Sequence, residues 1–186
     1  MLTITGGTLK GRKIGTTSRN VTRYTPNIAR KALFDIILVP DKMLDVFSGS
    51  GVVAFEALSR GTSNIICVDS SKLSARTISK NASELGLEKN IEIICKDFRR
   101  AFVGIEKSGK SFDVVFADPP FRKKYVDDFL KYLMAHNGFL TTNTIVIVET
   151  SEEDAISLKD KMIDGFRLLD QRKYGGVFLN FMKVIR

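Results

Sequence analysis

A chain of 186 residues is close to the length of one ordinary domain, so the sequence predicts a single domain whose core needs no metal or disulfide. Its 44% hydrophobic and 27% charged residues exclude a collagen-like, low-complexity or wholly disordered chain. The net charge of +8 favours nucleic acid as the partner, with a membrane surface as the second candidate.

The N-terminal region is basic: between Met1 and Phe34 the chain has seven Lys or Arg residues and no Asp or Glu. Clustered Lys and Arg make most phosphate contacts, so this region is predicted to face a polyanion; a surface that only aids solubility is the alternative. Residues 1–13 lack the apolar core of a secretion signal, and no apolar run approaches the ~20 residues of a membrane span. We therefore expect a cytoplasmic protein that does not contact a membrane.

Residues 2–5 and 12–14 are predicted to pair as a short hairpin across a glycine-rich turn. A helix is predicted to begin near Thr25-Pro26, because threonine caps helices and proline suits the first helical position. Apolar residues repeat at helical spacing after it, and Pro40 ends the pattern.

From residue 43 onward, apolar runs typical of buried strands alternate with helical patterns. The predicted strands are residues 43–47, 65–69, 91–95, 112–117 and 145–148. Helices are predicted over residues 52–59 and about 124–135, from Ser70 or Ser71 to Gly86, and from Ser151 onward. This alternation predicts an α/β fold with a mainly parallel sheet covered by helices on both faces. Residues 166–174 and 177–185 flank Gly175-Gly176, which predicts a closing antiparallel hairpin.

The cysteines and the single histidine carry no predicted chemistry. Cys67 and Cys95 each lie in an apolar, β-branched run without metal-ligand spacing around them, so both are predicted to be buried. His136 lies in a predicted loop without partners for a catalytic triad. No metal site is predicted.

A glycine-containing loop follows the first strand of the alternating region and leads into a helix. Gly49 and Gly51 lie where the backbone can pass close to a ligand. Asp45 precedes them, Asp69 ends the next strand and Asp97 follows the strand after it, all at the sheet edge that lines the ligand crevice of such folds. A nucleoside-containing cofactor is predicted there. Residues 49–54 also match the G-x-G-x-x-A form of the NAD fingerprint, so this loop alone leaves the cofactor's identity open.

A second loop, Asp118-Pro119-Pro120-Phe121, follows the strand of residues 112–117. Two prolines fix two φ angles and remove two N–H donors, which leaves a rigid group of carbonyl and carboxylate acceptors beside an aromatic ring. Such acceptors suit the exocyclic amine of a nucleobase, with Phe121 stacked on the base, and they direct the lone pair of the amine at an electrophile. A plain strand-ending turn is the alternative.

Both loops resemble those of a known enzyme class. Asp118-Pro119-Pro120-Phe121 resembles the [N/D]-P-P-[Y/F/W] motif of S-adenosylmethionine-dependent amino-methyltransferases, and residues 45–51 resemble their D-x-F-x-G-x-G cofactor loop. The chain is further similar to the RsmD family of bacterial 16S rRNA guanine-N2 methyltransferases over residues 6–12, 23–34, 44–60 and 173–175. The N-terminal stretch is specific, because general methyltransferases lack it. Tyr24 stands in place of the family's usual proline, Lys31 in place of an acid and Asp69 in place of a frequent glutamate.

The resemblance implies a Rossmann-like class I methyltransferase fold, with a seven-stranded, mostly parallel sheet and an antiparallel C-terminal strand. Within one domain it implies a short basic RNA-facing extension, residues 1–24, and a catalytic core, residues 25–186. S-adenosyl-L-methionine is the implied cofactor, and Asp118, Pro119, Pro120 and Phe121 are implied to hold the target guanine. The residues implied to bind the cofactor are Asp45, Phe47, Gly49, Ser50, Gly51, Asp69, Asp97 and Phe98.

Phosphate contacts are predicted for cations of the N-terminal region, outside the cofactor crevice, and for cations just beyond the base-holding loop. They are Lys10, Arg12, Arg23, Arg30, Arg122 and Lys123. The predicted reaction is methyl transfer from S-adenosylmethionine to the exocyclic N2 of a guanine in 16S rRNA. The substrate is either free rRNA or a small-subunit assembly particle, and the enzyme is expected to be a monomer.

Three other functions are compatible with parts of the sequence. An adenine-N6 or cytosine-N4 methyltransferase of DNA or RNA would share Asp118-Pro119-Pro120-Phe121, although the chain has no room for a separate base-recognition domain. A nicotinamide-dependent oxidoreductase would explain Gly49, Gly51 and Asp69 but neither the proline loop nor the basic N-terminus. An RNA-binding module without activity would not need acids at every strand end.

Overall fold

The computed structural model describes residues 2–17, 24–120, 125–160 and 165–185. The strands within these residues are β1 (Leu2–Thr3), β2 (Lys13–Ile14), β3 (Lys42–Val46), β4 (Asn64–Asp69), β5 (Ile91–Cys95), β6 (Val114–Ala117), β7 (Ile145–Thr150), β8 (Phe166–Tyr174) and β9 (Val177–Val184). The α-helices are α1 (Asn27–Ile36), α2 (Val52–Ser59), α3 (Lys72–Leu85), α4 (Phe98–Lys107), α5 (Tyr125–Ala135) and α6 (Glu152–Asp160).

Seven strands form one sheet in the order β5-β4-β3-β6-β7-β9-β8, and β1 pairs with β2 separately. Strands β5, β4, β3, β6 and β7 are parallel, whereas β9 runs antiparallel to both β7 and β8. This confirms the predicted α/β sheet and its antiparallel C-terminal strand. Gly175 and Gly176, with φ of 55° and 87°, form the tight turn between β8 and β9.

The order of the strands reverses between β3 and β6, which lie side by side in the middle of the sheet. In open α/β sheets this switch point creates the crevice in which ligands bind, at the carboxyl ends of the strands. The loops that follow β3 and β6 therefore meet at one edge of the sheet, although about 70 residues separate them along the chain.

Apolar side chains alternate along the central strands and form a core on each face of the sheet. On β3, Leu44 and Val46 belong to the core beneath α4 and α5, and Met43 belongs to the core beneath α1, α2 and α3. Helix α4 is an element that the sequence analysis did not predict. Its signal was present, because Phe98, Ala101, Phe102 and Ile105 repeat at helical spacing and are buried.

The N-terminal hairpin packs into the domain. Ile4 and Ile14 are almost completely buried in the core beneath α2. The backbone N–H and the hydroxyl of Thr5 donate to the two carboxylate oxygens of Glu56 on α2, each at 2.8 Å. The hairpin is thus part of the structure that supports the cofactor loop, which leads directly into α2.

Two local predictions are wrong. Helix α1 begins at Asn27, with Pro26 rather than Thr25 in the capping position, and it ends at Ile36, because Ile37 already has an extended backbone. Cys95 is exposed, because β5 is an edge strand of the sheet, whereas Cys67 on β4 is buried as predicted.

Candidate active site

The loop between β3 and α2 follows a backbone path that few residues adopt. The φ angle is 63° at Phe47, 56° at Gly49 and 76° at Gly51. Phe47 is the one non-glycine residue with a positive φ in the described part of the chain, and strain of this kind is typical of functional loops. A Cβ at Gly51 would lie 2.9 Å from Cε2 of Phe55, so space as well as φ requires glycine there.

An aromatic cluster holds Phe47 in this conformation. Its ring centroid lies 5.3 Å from that of Phe98, 5.8 Å from that of Phe129 and 5.9 Å from that of Tyr125. Tilted and edge-on contacts at these distances are favourable between aromatic rings. Helices α4 and α5 therefore stabilise the strained residue from behind the loop.

A cavity of about 550 Å³ opens where β3, β4 and β6 end, which is a usual size for a small-molecule site. The predicted site residues that line it are Asp45, Phe47, Gly49, Asp69, Asp118, Pro119 and Pro120. The fold therefore brings the predicted cofactor loop and the predicted base-holding loop to one cavity. Of the other predicted residues, Ser50, Gly51, Asp97 and Phe98 do not line it, and Phe121 lies outside the described residues.

Asp69 organises the edge of this cavity. One carboxylate oxygen accepts the backbone N–H of Gly49 and the other accepts that of Ser71, both at 2.8 Å. The side chain is only half-buried, so further lone pairs of its oxygens face the cavity that it lines. A carboxylate placed in this way can accept hydrogen bonds from hydroxyl groups of a bound ribose.

Asp45 is 1% exposed and lines the same cavity. Burial, and after it the charge of Asp69, raises the pKa of the Asp45 carboxyl to about 8, although the hydroxyl of Ser48 and the N–H of Ala54 oppose the shift. Its Oδ2 atom has no hydrogen-bond partner among the described residues. A buried acceptor without a partner at a cavity wall suits a cationic group of a ligand, so the site fits a cofactor that carries an ammonium group.

The base-holding loop is described as far as Pro120. The N–H of Asp118 donates to the carbonyl of Val46 at 3.3 Å, which joins the end of β6 to the end of β3. Pro119 is buried and Pro120 is exposed, while the side chain of Asp118 is half-exposed at the cavity. The aspartate is thus positioned by a rigid neighbour and remains accessible to a ligand.

Asp97 and Phe98 have structural contacts that the sequence did not indicate. Oδ1 of Asp97 accepts the N–H of Arg99 at 2.9 Å and caps α4. The ring of Phe98 is 2% exposed and packs in the aromatic cluster, with the guanidinium of Arg99 4.4 Å from its centroid. The ring is therefore not free to stack on a ligand, and the predicted contact of these two residues with an adenine stays a prediction.

Three residues of the N-terminal region line the cavity and were not predicted to do so: Thr17, Tyr24 and Thr25. The hydroxyl of Tyr24 donates to the carbonyl of Thr17 at 2.8 Å. This hydrogen bond holds the two residues together in the wall of the cavity. A cluster of hydroxyl side chains near the basic segment was the signal in the sequence. The N-terminal region therefore contributes to the cavity as well as to the surface around it.

Arg30 is wrongly predicted as a phosphate contact. It is fully buried, and its guanidinium donates to the carbonyl of Thr25, to that of Thr3 and to Oδ1 of Asn27 at 2.7–2.9 Å. Its Nε lies 4.0 Å from the buried carboxylate of Glu56. The acid Glu56 and the carbonyl of Thr3 are distant in sequence, so a scan for nearby acids could not find them. Arg30 fixes the hairpin to α1 and α2 and cannot reach RNA.

Lys10 and Arg12 are exposed, as expected for phosphate contacts, although Arg12 also donates to the carbonyl of Glu84 at 3.2 Å. Arg23, Arg122 and Lys123 lie outside the described residues. Lys72 and Arg76, on the first turns of α3, are exposed next to cavity-lining Ser71 and Leu73 and were not predicted. They extend the basic surface to the mouth of the cavity.

The described residues contain no group of His, Cys, Asp or Glu side chains that could hold a metal ion. No described helix is both long enough and apolar enough to cross a bilayer.

Comparison with known proteins places the chain. The family model described as Conserved hypothetical protein 95 matches residues 2–183. Ribosomal RNA small subunit methyltransferase D of Buchnera aphidicola subsp. Acyrthosiphon pisum is 30% identical over 157 residues, covering 82% of this chain and 80% of that protein. The structure of a putative methyltransferase yhhF from Escherichia coli has a TM-score of 0.81 at 24% identity, covering 98% of this chain and 97% of that one. SMU.776, a putative methyltransferase complexed with SAH, has a TM-score of 0.63 at 18% identity, covering 77% of this chain and 45% of its own.

Proposed function

The chain belongs to the family of Conserved hypothetical protein 95, the RsmD family, and we propose that it transfers a methyl group from S-adenosylmethionine to the exocyclic N2 of a guanine in 16S rRNA. The observation that carries the proposal is the single cavity shared by two loops. Gly49 of the cofactor loop and Asp118 of the base-holding loop both line it. A methyl donor and an acceptor amine bound in these loops would therefore lie side by side.

The cofactor supplies a sulfonium methyl group as the electrophile. Asp69 accepts hydrogen bonds from the ribose hydroxyls, and the buried carboxyl of Asp45 binds the ammonium end of the methionine part. Val52 and Val53, at the start of α2, line the same cavity, and the first N–H groups of a helix have no partner within that helix. These contacts would fix the methyl group towards Asp118.

The acceptor amine is positioned by the loop after β6. Asp118 and the backbone carbonyls beside the two prolines accept the N–H protons of the guanine amine, and this leaves its lone pair directed at the methyl carbon. The N–C bond forms as the S–C bond breaks, and the nitrogen then loses a proton to Asp118 or to water. The base must leave its stack to reach the cavity, which costs a few kcal/mol.

The surface around the cavity supports an RNA substrate. Lys72 and Arg76 are exposed beside the cavity, and Lys10 and Arg12 are exposed on the N-terminal hairpin. Contacts from these cations to phosphates would offset the cost of extracting the base. On this proposal residues 1–24 are an RNA-facing extension of a single cytoplasmic catalytic domain, and the protein acts as a monomer. The substrate is either free 16S rRNA or a small-subunit assembly particle.

Mass mapping of 16S rRNA tests the proposal. RNA from cells that lack this chain should gain one methylated guanine when the wild-type chain is restored. Restoration with Asp118→Ala should leave the guanine unmodified, whereas Asp128→Ala, which changes an exposed acid on α5, should behave as wild type. Methylation of an adenine or a cytosine would retain the reaction class and overturn the choice of base. An unchanged map would overturn the rRNA substrate.

A further inference from the structure

One buried amide connects the N-terminal segment to the cofactor loop. Asn81, on α3, is 2% exposed. Its Nδ2 donates to the carbonyl of Ser50 at 3.1 Å and to the carbonyl of Gly15 at 3.0 Å. Its Oδ1 accepts the backbone N–H of Gly15 at 2.9 Å. Both N–H donors and the oxygen of this side chain thus bind two segments that are 35 residues apart in the sequence.

The arrangement needs an amide. Two N–H donors and one acceptor are required at the same position, and aspartate, serine or an apolar side chain cannot supply them together. Gly15 is matched to it, because a Cβ at this position would lie 3.0 Å from Oδ1 of Asn81. The close approach lets the backbone of Gly15 form a reciprocal pair of hydrogen bonds with the side chain.

Each connected segment forms part of the cavity. Ser50 lies between Gly49, which lines the cavity, and Gly51, which is the N-cap residue of α2. Gly15 precedes Thr17, which lines the opposite wall with its partner Tyr24. Displacement of either segment would leave a polar group of the buried Asn81 side chain without its partner, which is unfavourable.

We propose that Asn81 is a positioning residue that couples the cofactor loop to the N-terminal wall, so that cofactor and RNA each strengthen the binding of the other. This inference rests on the proposed function for the identity of the second ligand. A cofactor that orders residues 49–51 holds the amide in place and thereby orders Gly15. RNA bound along the N-terminal segment acts in the opposite direction by the same factor, because coupling of binding free energies is reciprocal.

The test measures the dissociation constant of SAH with and without a saturating unmodified 16S rRNA transcript, and that of the transcript with and without SAH. In the wild-type protein each ligand should tighten the other by about five-fold or more. The coupling ratio is the dissociation constant of one ligand without the other ligand divided by its dissociation constant with it. Asn81→Ala should reduce this ratio to about one for both ligands and should weaken SAH binding even without RNA. Gly15→Ala pushes the N-terminal segment away from the amide of Asn81 and leaves the core intact. It should also reduce the coupling ratio to about one.

Thr144→Val is the matched control. Thr144 is equally buried and bonds the carbonyl of Phe112 at 2.7 Å, but it lies at the amino ends of the strands, away from the cavity. It should lower the thermal midpoint as Asn81→Ala does and should keep the coupling. A wild-type ratio of one with RNA bound, or an Asn81→Ala protein with the wild-type ratio, would overturn the inference. Absence of RNA binding by the wild type would count against the proposed function instead; SAH binding by Asn81→Ala, compared with Thr144→Val, would then decide whether the amide positions the cofactor loop.

Discussion

The carboxylate of Asp69 accepts the backbone N–H of Gly49 at 2.8 Å, and this bond joins the end of β4 to the strained loop that follows β3. The residue that is proposed to bind ribose therefore also shapes the loop against which the ribose would lie. Its other oxygen accepts the N–H of Ser71, next to the start of α3, so one side chain aligns three elements around the cavity.

Asp69→Ala should weaken cofactor binding by ten- to several-hundred-fold, since it removes charge-assisted hydrogen bonds of ~1.5–3 kcal/mol each. A calorimetric titration with SAH measures the effect. Asp113→Ala is the control, because Asp113 also accepts a backbone N–H, that of Lys42 at 2.9 Å, but at the opposite end of the sheet. Equal affinities of the two variants would show that Asp69 does not face the cofactor.

Asp118→Ala should reduce methyl transfer by at least ~100-fold, the scale of one preorganised electrostatic contact. Cofactor affinity should stay within about two-fold of wild type, because the residue contacts the base and not the cofactor body. Single-turnover rates and SAH titrations of the same samples separate the two effects. A rate within a few-fold of wild type would contradict the role given to this residue.

The pKa of about 8 at Asp45 predicts a pH-dependent cofactor affinity. Free protein holds a proton on this carboxyl below about pH 8, and a cationic ligand group favours the ionised form, so binding releases the proton. The affinity for SAH should rise between about pH 6 and pH 8, by at most about ten-fold per unit, and then level off. Asp45→Asn should bind more weakly at about pH 8 and show a flat profile over the same range.

The same carboxyl predicts how stability changes with pH. The folded state holds the proton over a range in which the unfolded chain has already released it, so stability falls as the pH rises from about 4 to about 8. The charges that face Asp45 do not oppose this, because Asp69 is negative and burial raises the pKa of the Cys67 thiol, which keeps it neutral. Thermal melts should show that Asp45→Asn is more stable than wild type at about pH 8. Near pH 4 this difference in stability should be much smaller. Parallel curves for the two proteins would contradict the raised pKa.

Replacing Lys10, Arg12 and Lys13 by alanine should weaken RNA binding across sequences and lower the salt dependence by up to about three units of slope. All three are exposed on the hairpin. Binding of a 16S rRNA transcript at several salt concentrations measures the slope, and melting measures stability, which should hardly change. The matched triple variant replaces Arg100, Lys107 and Lys131, exposed cations on α4 and α5, which cover the other face of the sheet from the hairpin. If both variants lower the salt dependence of RNA binding equally, the positive charge of the hairpin contributes only as part of the protein's net charge.

Arg30→Met should act on stability and not on RNA. It removes three hydrogen bonds to the hairpin and to α1, and it leaves Glu56 with less compensation, so a loss of about 3–5 kcal/mol is expected. Denaturant titration measures the loss. In the folded variant, the dependence of RNA affinity on salt should equal that of wild type. A smaller salt dependence would indicate that Arg30 does contact RNA phosphates.

The central sheet could be predicted from sequence because its signals are local. Apolar runs between glycines located β3 to β7 within a few residues, and α2 was predicted at its observed bounds, residues 52–59. Asp45, Asp69 and Asp118 were found because the carboxyl ends of parallel strands must meet at one edge of the sheet. Neither inference required knowledge of which helix packs where.

The errors concern contacts between distant parts of the chain. Arg30 reads as one more cation of a basic segment, and only the folded hairpin brings Thr3 and Glu56 to it. The packing of Phe98 against Phe47 is another contact that the sequence did not indicate, and the predicted contact of Phe98 with the cofactor stays a prediction. Thr17 and Tyr24 lie together in a wall of the cavity, where the hydroxyl of Tyr24 donates to the backbone carbonyl of Thr17. Such pairings depend on tertiary packing and leave no periodic trace in the sequence.

Glu56 limits how the extension could be exchanged between relatives. Its two buried carboxylate oxygens accept the backbone N–H and the hydroxyl of Thr5, which belongs to the extension. A hairpin grafted from another protein would have to supply a hydroxyl at position 5, since a buried carboxylate that loses its partners is unfavourable. Thr5 and Glu56 should therefore be inherited together, as a pair that spans the boundary between extension and core. A chimera joined at residue 24 would divide the sequence at a point where the folded protein has no structural boundary.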